Sequence, residues 1–287
     1  MKKTYFQAVK DSSSRIDAAG LDPIDVQFVL MERKNWDKTQ WVMHLHEAIS
    51  KEDYLQLLKD EAQLLNYVPP QYLIGSAEFF GRRFKVTRDT LIPRPETEEL
   101  VQMALSKIDA NRSLKVVDIG VGSGVIAISL ALERSNWQMW GVDLYERALE
   151  VAKENGEALN ANVQWVLGDV LNPFLRNGGN EKFDLIISNP PYVSYGEWNL
   201  MDVSVRQYEP REALFAEDYG LAVYRKIAKQ APLLLKDSGI LLLEIGYAQG
   251  EAVSQMMDKA FGEECKVEVL NDLSGKPRMI CVHKSET

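Results

Sequence analysis

The segment Asn189-Pro190-Pro191-Tyr192 combines residue types that could hold a planar amino group. The two prolines carry no backbone N–H, so this stretch presents only carbonyl acceptors in a stiff arrangement. The Asn189 side-chain carbonyl and the Pro190 backbone carbonyl could each accept one hydrogen of an NH₂ group, while the Tyr192 ring offers a face for stacking. Two prolines can simply end a strand, but that role requires neither the Asn nor the Tyr. We therefore predict a substrate site here, with Asn189, Pro190 and Tyr192 as catalytic residues and Pro191 as a further contact.

A glycine-rich turn is the second candidate site. It reads Asp118-Ile119-Gly120-Val121-Gly122-Ser123-Gly124 and follows an apolar run. Alternate glycines let a backbone turn sharply and approach a ligand closely, although such a turn can also be only a tight connection. A dinucleotide site would need Gly or Ala where Val125 stands, so that cofactor fits poorly. Asp118 would disfavour a pyrophosphate and would suit a ligand that carries an ammonium group.

Two further aspartates follow the next two apolar runs. Asp143 comes about 20 residues after the last glycine, where an acidic side chain can hold the hydroxyls of a ribose. Asp169 could accept a hydrogen bond from an adenine amino group while Val170 covers the ring. Each aspartate alone is more often a helix cap or a turn residue. Together, the three carboxylates indicate an adenosine ligand that is not a dinucleotide.

The elements that must position these residues alternate between strand and helix. We predict strands near 114–119, 138–142, 163–167, 183–188, 239–245, 266–270 and 278–282, and helices near 97–108, 125–132, 147–159 and 221–235. This alternation is typical of a mostly parallel sheet of about seven strands with helices on both faces, the α/β class. Such sheets bind ligands at the carboxyl ends of their strands, where the candidate residues stand.

The chain before this sheet has a different pattern. Helical spacing runs from residue 1 to about 66, with Asp22-Pro23 as a helix start and a capping-box pattern at Ser50 and Asp53. The segment Tyr67-Val68-Pro69-Pro70 is interpreted as a break in this pattern. Residues 71–90 look strand-like around Gly81 and predict a β-hairpin. We therefore expect a helical domain at 1–70, a hairpin linker at 71–90 and the sheet domain at 91–287.

Composition excludes several classes of protein. A hydrophobic fraction of 46% is ordinary for a globular protein and excludes a mostly disordered chain. The net charge of −9, acidic on both sides of residue 70, disfavours a nucleic acid held by its phosphates. Cys265 and Cys281 form no disulfide framework and show no metal-ligand spacing. The start of the chain lacks the apolar stretch of a signal peptide, and no run approaches the roughly 18 apolar residues of a membrane span, so we expect a cytoplasmic protein.

The tetrapeptide, the glycine turn and the aspartates together resemble the Rossmann-like methyltransferases that use S-adenosylmethionine. The motif [Asp/Asn]-Pro-Pro-[Tyr/Phe] marks members that methylate planar amino nitrogens. Over nearly the whole chain, the sequence is similar to the bacterial release-factor glutamine methyltransferases, and the segments that carry this likeness are 71–75, 91–98, 188–193, 208–214 and 243–246.

That resemblance implies methyl transfer to the side-chain amide nitrogen of the glutamine in the Gly-Gly-Gln motif of peptide-chain release factors. We also expect a monomer without metal, and we predict that the helical domain helps to dock the protein substrate. The residues expected to bind the cofactor are Asp118, Gly120, Val121, Gly122, Ser123, Gly124, Asp143, Asp169, Val170 and Asn189. Those expected to bind the glutamine are Arg94 and Asn189 to Tyr192, and Val170 stands where the family often has an aromatic residue.

Other functions share parts of this pattern. An N6-adenine methyltransferase would use the same tetrapeptide but needs a surface that grips nucleic acid, which an acidic chain without a basic insert lacks. A methyltransferase for a ribosomal-protein glutamine would use the same site residues. A protein that only senses the cofactor would not require the tetrapeptide, and Val125 disfavours a dehydrogenase.

Overall fold

The computed structural model describes residues 3–176, 181–263 and 265–285; the outer limits predicted for the first and last domains, residues 1 and 287, lie outside them. The helices are α1 (Tyr5–Ala18), α2 (Ile24–Lys34), α3 (Lys38–His44), α4 (Lys51–Leu65), α5 (Pro70–Ile74), α6 (Pro95–Lys107), α7 (Val125–Glu133), α8 (Glu146–Ala158), α9 (Asn172–Arg176), α10 (Val203–Tyr208), α11 (Arg211–Leu214), α12 (Glu217–Gly220), α13 (Ala222–Leu234) and α14 (Gly250–Phe261), with a 3₁₀ helix at Tyr195–Leu200. The strands are β1 (Ser76–Phe79), β2 (Arg82–Lys85), β3 (Lys115–Ile119), β4 (Gln138–Asp143), β5 (Val163–Leu167), β6 (Phe183–Ser188), β7 (Leu235–Glu244), β8 (Cys265–Asn271) and β9 (Pro277–Lys284).

Seven of these strands form one sheet in the order β5-β4-β3-β6-β7-β9-β8. The pairs from β5 to β7 are parallel, and β9 pairs antiparallel with both β7 and β8. This confirms the predicted α/β class and the mostly parallel sheet. The strand order reverses at β3, which has β4 on one side and β6 on the other, so the glycine turn after β3 stands at the switch point of the sheet.

Apolar residues bury both faces of the sheet, as continuous apolar strands require. Successive residues of a strand point to opposite faces, so Val117 and Val116 of β3 belong to different cores. Ile227 of α13 and Met257 of α14 pack in the first core, and Leu100 of α6 packs in the second.

The chain divides into two compact units, Met1–Ser76 with Asp202–Tyr208, and Ala77–Met201 with Glu209–Thr287. The first unit has its own apolar core, which includes Ile16 and Leu57. The Tyr208 hydroxyl donates to the backbone oxygen of Asn66 at 2.8 Å and ties the later segment to α4. The helical unit therefore extends to residue 76 and takes in α10, which the sequence analysis placed in the sheet domain.

Two local predictions were wrong. Residues 71–74 form the end of α5 instead of a strand, because a proline at the first helical position favours a helix start and Gly75, with φ +77°, ends the helix. The hairpin is correspondingly shorter, with strands β1 and β2. The Ser50 side chain accepts the Asp53 amide as predicted, but the Asp53 carboxylate binds Tyr5 and Lys34 instead of closing a capping box.

A glycine and a tryptophan on neighbouring strands pack one edge of the sheet. Gly141 of β4 pairs with Trp165 of β5, and a methyl group added at Gly141 would lie 2.6 Å from the Trp165 ring. The ring therefore fits only because residue 141 has no side chain, and a strand glycine often marks such a close approach.

We expect Gly141→Ala to lower the free energy of unfolding by about 1–3 kcal/mol, the range for overpacked cores. In a Trp165→Phe background, which removes part of the ring, the same change should cost clearly less. Urea denaturation of the four proteins of this double-mutant cycle measures both costs. Equal costs in the two backgrounds would show that the ring does not limit the space at residue 141.

Candidate active site

The carboxyl ends of β3, β4, β5 and β6 open into a cleft of about 1040 Å³. Most of the candidate residues line it, namely Arg94, Gly120, Val121, Gly122, Ser123, Asp143, Asp169, Val170, Asn189, Pro190 and Pro191. Asp118, Gly124 and Tyr192 lie behind these residues and do not line this cleft. The fold thus brings candidates from five separate parts of the chain to one cavity.

Asp143 holds the glycine turn in place. Its two carboxylate oxygens accept the backbone amides of Gly122 at 3.0 Å and Tyr145 at 2.9 Å, and burial raises the pKa of this carboxyl. Gly122 has φ +55°, a conformation that favours glycine, and open space lies where its side chain would be. The turn therefore presents bare backbone to the cleft beside a buried carboxylate.

Gly124 serves packing. It has φ +85° at the start of α7, and an added methyl would lie 2.9 Å from Ile128 and 3.2 Å from Trp165. The third glycine thus brings the helix close to the sheet. Its predicted contact with a cofactor stays a prediction.

Asp118 is fully buried beneath the turn. Its Oδ2 atom accepts the Ala127 amide at 3.1 Å, and Oδ1 has no partner among the described residues. Burial and, to a smaller extent, the nearby Asp143 carboxylate raise the pKa of Asp118 to about 8. The unpartnered oxygen can still accept a hydrogen bond.

Asp169 is already paired in the structure. Both of its oxygens accept from the Lys226 ammonium, at 2.9 and 2.8 Å, so an adenine amino group would share this carboxylate with a cation. Val170 has φ +55° and packs into the sheet core, a left-handed conformation that costs a β-branched residue about 1–3 kcal/mol. The backbone conformation of the turn after β5 is therefore held by the residues packed around it as well as by its own sequence.

A chain of hydrogen bonds lies behind Asn189. The Asn189 amide nitrogen donates to the Thr97 hydroxyl at 3.0 Å, and that hydroxyl donates to the Glu244 carboxylate at 2.7 Å. The Tyr192 hydroxyl donates to the other Glu244 oxygen at 3.4 Å. Burial raises the pKa of Glu244 to about 7, and burial beside this carboxylate raises the pKa of Tyr192. The Tyr192 hydroxyl thus points to Glu244, and the predicted stacking of its ring on substrate stays a prediction.

The backbone of the Asn-Pro-Pro-Tyr segment is fixed at both ends. Ser188 donates its hydroxyl to the Ile119 backbone oxygen at 2.6 Å, which joins the end of β6 to the end of β3. The Tyr192 backbone oxygen accepts from the Gln249 side chain at 2.9 Å. A methyl added at Gly220 would lie 2.0 Å from that same oxygen, so only glycine fits there.

Arg94 lines the cleft but its charge is paired. Its guanidinium donates to Glu209 at 2.6 Å, and the Glu209 side chain is only 2% exposed. The second Glu209 oxygen accepts the Ile92 amide at 3.3 Å. Arg94 therefore joins two loops of the cleft wall, and its predicted contact with substrate stays a prediction.

Sequence reasoning missed several residues of this site. Thr97, Glu209 and Glu244 lie inside the segments 91–98, 208–214 and 243–246 that carried the family resemblance. The resemblance therefore marked these segments, but no role was predicted for these three residues. Lys226 lies in ordinary helical sequence and Gln249 directly precedes α14, and neither gave a signal.

One cluster outside the cleft contains a cysteine. The Cys281 sulfur lies 3.2 Å from His283 Nε2, and Glu268 is close enough for all three to offer ligand atoms within 4.8 Å of one another. Lys266 already pairs with Glu268 at 2.8 Å. This ion pair and the contact between Cys281 and His283 are sufficient to explain why these side chains lie together. The sequence spacing alone had not indicated this cluster.

The cleft fits the predicted S-adenosylmethionine in two respects. Bare backbone at Gly120 and Gly122 leaves room for a ligand over the turn, since a side chain there would occupy the open space. Asp143 keeps acceptor capacity beyond its two amide bonds, because each carboxylate oxygen can accept twice. Gly120, Gly122 and Asp143, which would hold the cofactor, thus lie on the cleft wall.

Comparisons with known proteins agree with this fold. A family model described as the methyltransferase small domain matches residues 98–206. A methyltransferase of Pyrococcus furiosus is 18% identical with a TM-score of 0.52 and covers 79% of this chain and 98% of its own. The 16S rRNA N2 G1207 methyltransferase of Thermus thermophilus, solved with AdoMet and guanosine, is 16% identical with a TM-score of 0.51 and covers 74% of this chain and 50% of its own. These likenesses establish the fold, and the family model over residues 98–206 is that of a methyltransferase domain.

Relatives with higher sequence identity identify the family to which this chain belongs. The release factor glutamine methyltransferase of Enterococcus faecalis is 46% identical over 97% of this chain and 99% of its own length, and that of Bacillus subtilis is 39% identical over 99% and 100%. A family model described as the PrmC N-terminal domain matches residues 7–75. The chain belongs to the release factor glutamine methyltransferases.

Among the described residues, none of the helices is both long enough and apolar enough to cross a membrane.

The buried Asp118 generates a prediction about stability and pH. A carboxyl whose pKa rises on folding favours the folded state most at low pH, and this contribution is lost as pH rises from the ordinary value of 3.8 to about 8. Asp118→Asn does not ionise, so we expect the variant to gain stability relative to the natural protein across that window, by at most about 1.4 kcal/mol per pH unit. Urea denaturation of both proteins at several pH values measures the difference. Parallel stability curves would contradict it.

Proposed function

We propose that this protein transfers a methyl group from S-adenosylmethionine to the side-chain amide nitrogen of the glutamine in the Gly-Gly-Gln motif of peptide-chain release factors. The observation that carries the proposal is the Asn189 amide on the cleft wall. Its nitrogen is bonded to Thr97, so its oxygen is turned away as an acceptor, beside a proline segment that offers only carbonyls. The family membership of the chain supports the same substrate.

The residues act mainly by orienting a poor nucleophile. An amide nitrogen shares its lone pair with its carbonyl, so the NH₂ group must be held with that lone pair directed at the methyl group. The Asn189 Oδ1 atom and the Pro190 oxygen accept its two hydrogens. When bound, S-adenosylmethionine supplies a methyl group already activated by the sulfonium charge. As the nitrogen gains a substituent its hydrogens become more positive, so both acceptors bind more strongly in the transition state than in the ground state. The electron pair of the broken carbon–sulfur bond would stay on sulfur, and the methylated nitrogen would release one of its two hydrogens as a proton to water.

The charges around the cleft favour an amide over a nucleic-acid base. Several cations of the cleft wall are paired with acids, in the pairs Arg94–Glu209, Arg147–Asp89 and Lys226–Asp169. With a net charge of −9, the chain offers little to attract a phosphate backbone. We further propose that the protein acts as a monomer in the cytoplasm, where release factors bind ribosomes.

We expect the natural protein to label a release factor when it is supplied with methyl-labelled S-adenosylmethionine. Asn189→Ala should lower the rate at least about tenfold, since one acceptor to the reacting NH₂ group is lost. Asn271→Ala, which changes an exposed residue of β8, is the matched control and should leave the rate unchanged.

The substrate side of this experiment separates the alternatives. A release factor whose Gly-Gly-Gln glutamine is replaced by alanine should take no label. Label on that variant, on ribosomal proteins in preference to release factors, or on duplex DNA would contradict the proposal, as would undiminished labelling by Asn189→Ala.

We also propose that the first unit docks the protein substrate. Its helix α3 presents two adjacent apolar side chains, Val42 and Met43, which are 63% and 69% exposed. Exposed neighbouring apolar residues are typical of protein-binding surfaces.

Truncation would be a poor test because Asp202–Tyr208 packs with this unit. We expect the double variant Val42→Ser/Met43→Ser to raise KM for a release factor severalfold while KM for a short Gly-Gly-Gln peptide stays the same. Steady-state methylation of the two substrates measures this difference. An equal change for protein and peptide would show that these residues act on the active site instead of on docking.

A further inference from the structure

Two buried polar groups behind Asn189 have no role in the reaction as described so far. Thr97 of α6 is 3% exposed and Glu244 at the end of β7 is 1% exposed. A buried carboxylate is costly unless it is hydrogen-bonded, and a core of this size could have held an apolar residue there. Their hydrogen bonds lead directly to the amide that faces the substrate.

The directions of these bonds follow from chemistry. The Glu244 Oε2 atom lies 2.7 Å from the Thr97 hydroxyl, and an ionised carboxylate can only accept. With Glu244 ionised, the Thr97 hydroxyl therefore gives its single hydrogen to Glu244 and offers Asn189 only a lone pair. Asn189 must then turn its NH₂ group toward Thr97, as the 3.0 Å bond shows. Its Oδ1 atom is left on the opposite side, and none of the described residues donates to it.

The surroundings of Glu244 include charges of both signs. Arg278 of β9 attracts the ionised form, while Glu96 of α6 opposes it. Tyr192 donates to Glu244 Oε1, and the Tyr224 hydroxyl of α13 donates to the Glu244 backbone oxygen at 2.7 Å. Arg278 is itself held by Asp272 at 3.1 Å. The carboxylate thus has two side-chain donors and a nearby cation, the set that a buried anion needs.

We propose that Glu244 and Thr97 are positioning residues that fix the orientation of the Asn189 amide, so that its oxygen and not its nitrogen faces the glutamine NH₂ group. This inference rests on the proposed function for its substrate. The orientation of an asparagine amide is set by the hydrogen bonds around it, because its two ends are nearly the same in size.

The reverse orientation would be inactive. If Glu244 carried a proton on Oε2, it could donate to the Thr97 oxygen, and the Thr97 hydrogen could then bond to the Asn189 oxygen. The Asn189 NH₂ group would face the substrate NH₂ group, donor against donor. The Glu244 carboxylate, two hydrogen bonds away from the Asn189 amide, therefore controls whether the site can bind the substrate NH₂ group.

Substitutions at Thr97 separate positioning from simple packing. Thr97→Val keeps the shape and removes the hydroxyl, and we expect kcat to fall about tenfold to a hundredfold while the Kd for S-adenosylmethionine stays within about threefold. Thr97→Ser keeps the hydroxyl and should restore most of kcat, although it loses a buried methyl. Ser129→Ala is the matched control, because Ser129 of α7 is fully buried, its hydroxyl has no partner among the described residues, and it does not line the cleft.

A second readout does not depend on activity. In protein labelled with ¹⁵N-asparagine, the Asn189 side-chain NH₂ signals are identified by their loss in Asn189→Ala. We expect these hydrogens to exchange slowly with solvent in the natural protein and in Thr97→Ser, and at least about tenfold faster in Thr97→Val.

The pH profile tests Glu244. Methylation by the natural protein should decline as pH falls through about 7, since protonation of Glu244 removes the acceptor that orients Thr97. Glu244→Gln should have a lower kcat and should lose this dependence on pH.

The outcomes separate the two proposals. If the natural protein labels no release factor, the proposed function fails, while the exchange measurement still tests the orientation of Asn189. If the natural protein is active but Thr97→Val keeps its kcat and slow exchange, or Glu244→Gln keeps the pH profile, the positioning role is wrong.

Discussion

Parallel pairing of β3 with β4 and β6 is the constraint on which the site depends. Ile119, the last residue of β3, is in register with Val142 of β4 and with Ser188 of β6. The glycine turn, Asp143 and Asn189 therefore leave the sheet at one level although they are distant in sequence. The Ser188 hydroxyl stabilises this register, because it donates to the Ile119 backbone oxygen at the last paired position of the two strands. A slip of one residue would turn every side chain to the other face and separate the two halves of the cleft.

Three buried carboxyls at this edge of the sheet serve in different ways. Asp143 accepts two backbone amides and so shapes the turn. Asp118 accepts one amide, keeps one oxygen without a partner and has a pKa raised to about 8, so burial favours its neutral form in the protein alone. Glu244 accepts two hydroxyls and lies near a cation, which favours its ionised form against the effect of burial. Burial raises the pKa of all three carboxyls, and the hydrogen bonds that each accepts oppose that rise.

Strong local patterns made most of the fold predictable. The apolar runs of β3, β4 and β6 end in glycine, aspartate and proline, so their position and the edge that binds ligand follow from sequence. The helix at residues 71–74 was not predicted, because a proline pair was interpreted as a break when it also begins a helix. The partners of Asp169 and Arg94 were beyond prediction from sequence, since Lys226 and Glu209 come from distant loops and helices that only tertiary packing brings near. Glu244 lies in a segment that carries the family resemblance. Its role depends on its burial, and the spacing of residues in a sequence does not reveal which carboxylate is buried.

The polarity of Asn189 shows why the site needs more than the four residues of the motif. A planar amide presents an acceptor at one end and a donor at the other, and the prolines beside it do nothing to choose between them. Thr97 alone could not choose either, because a hydroxyl can donate or accept. The choice is made by Glu244, whose ionised carboxylate can only accept and so sets the direction of both hydrogen bonds that follow. A site that must accept both hydrogens of one NH₂ group is therefore helped by a group behind it that can only accept, and the ionised Glu244 at the end of β7 is such a group.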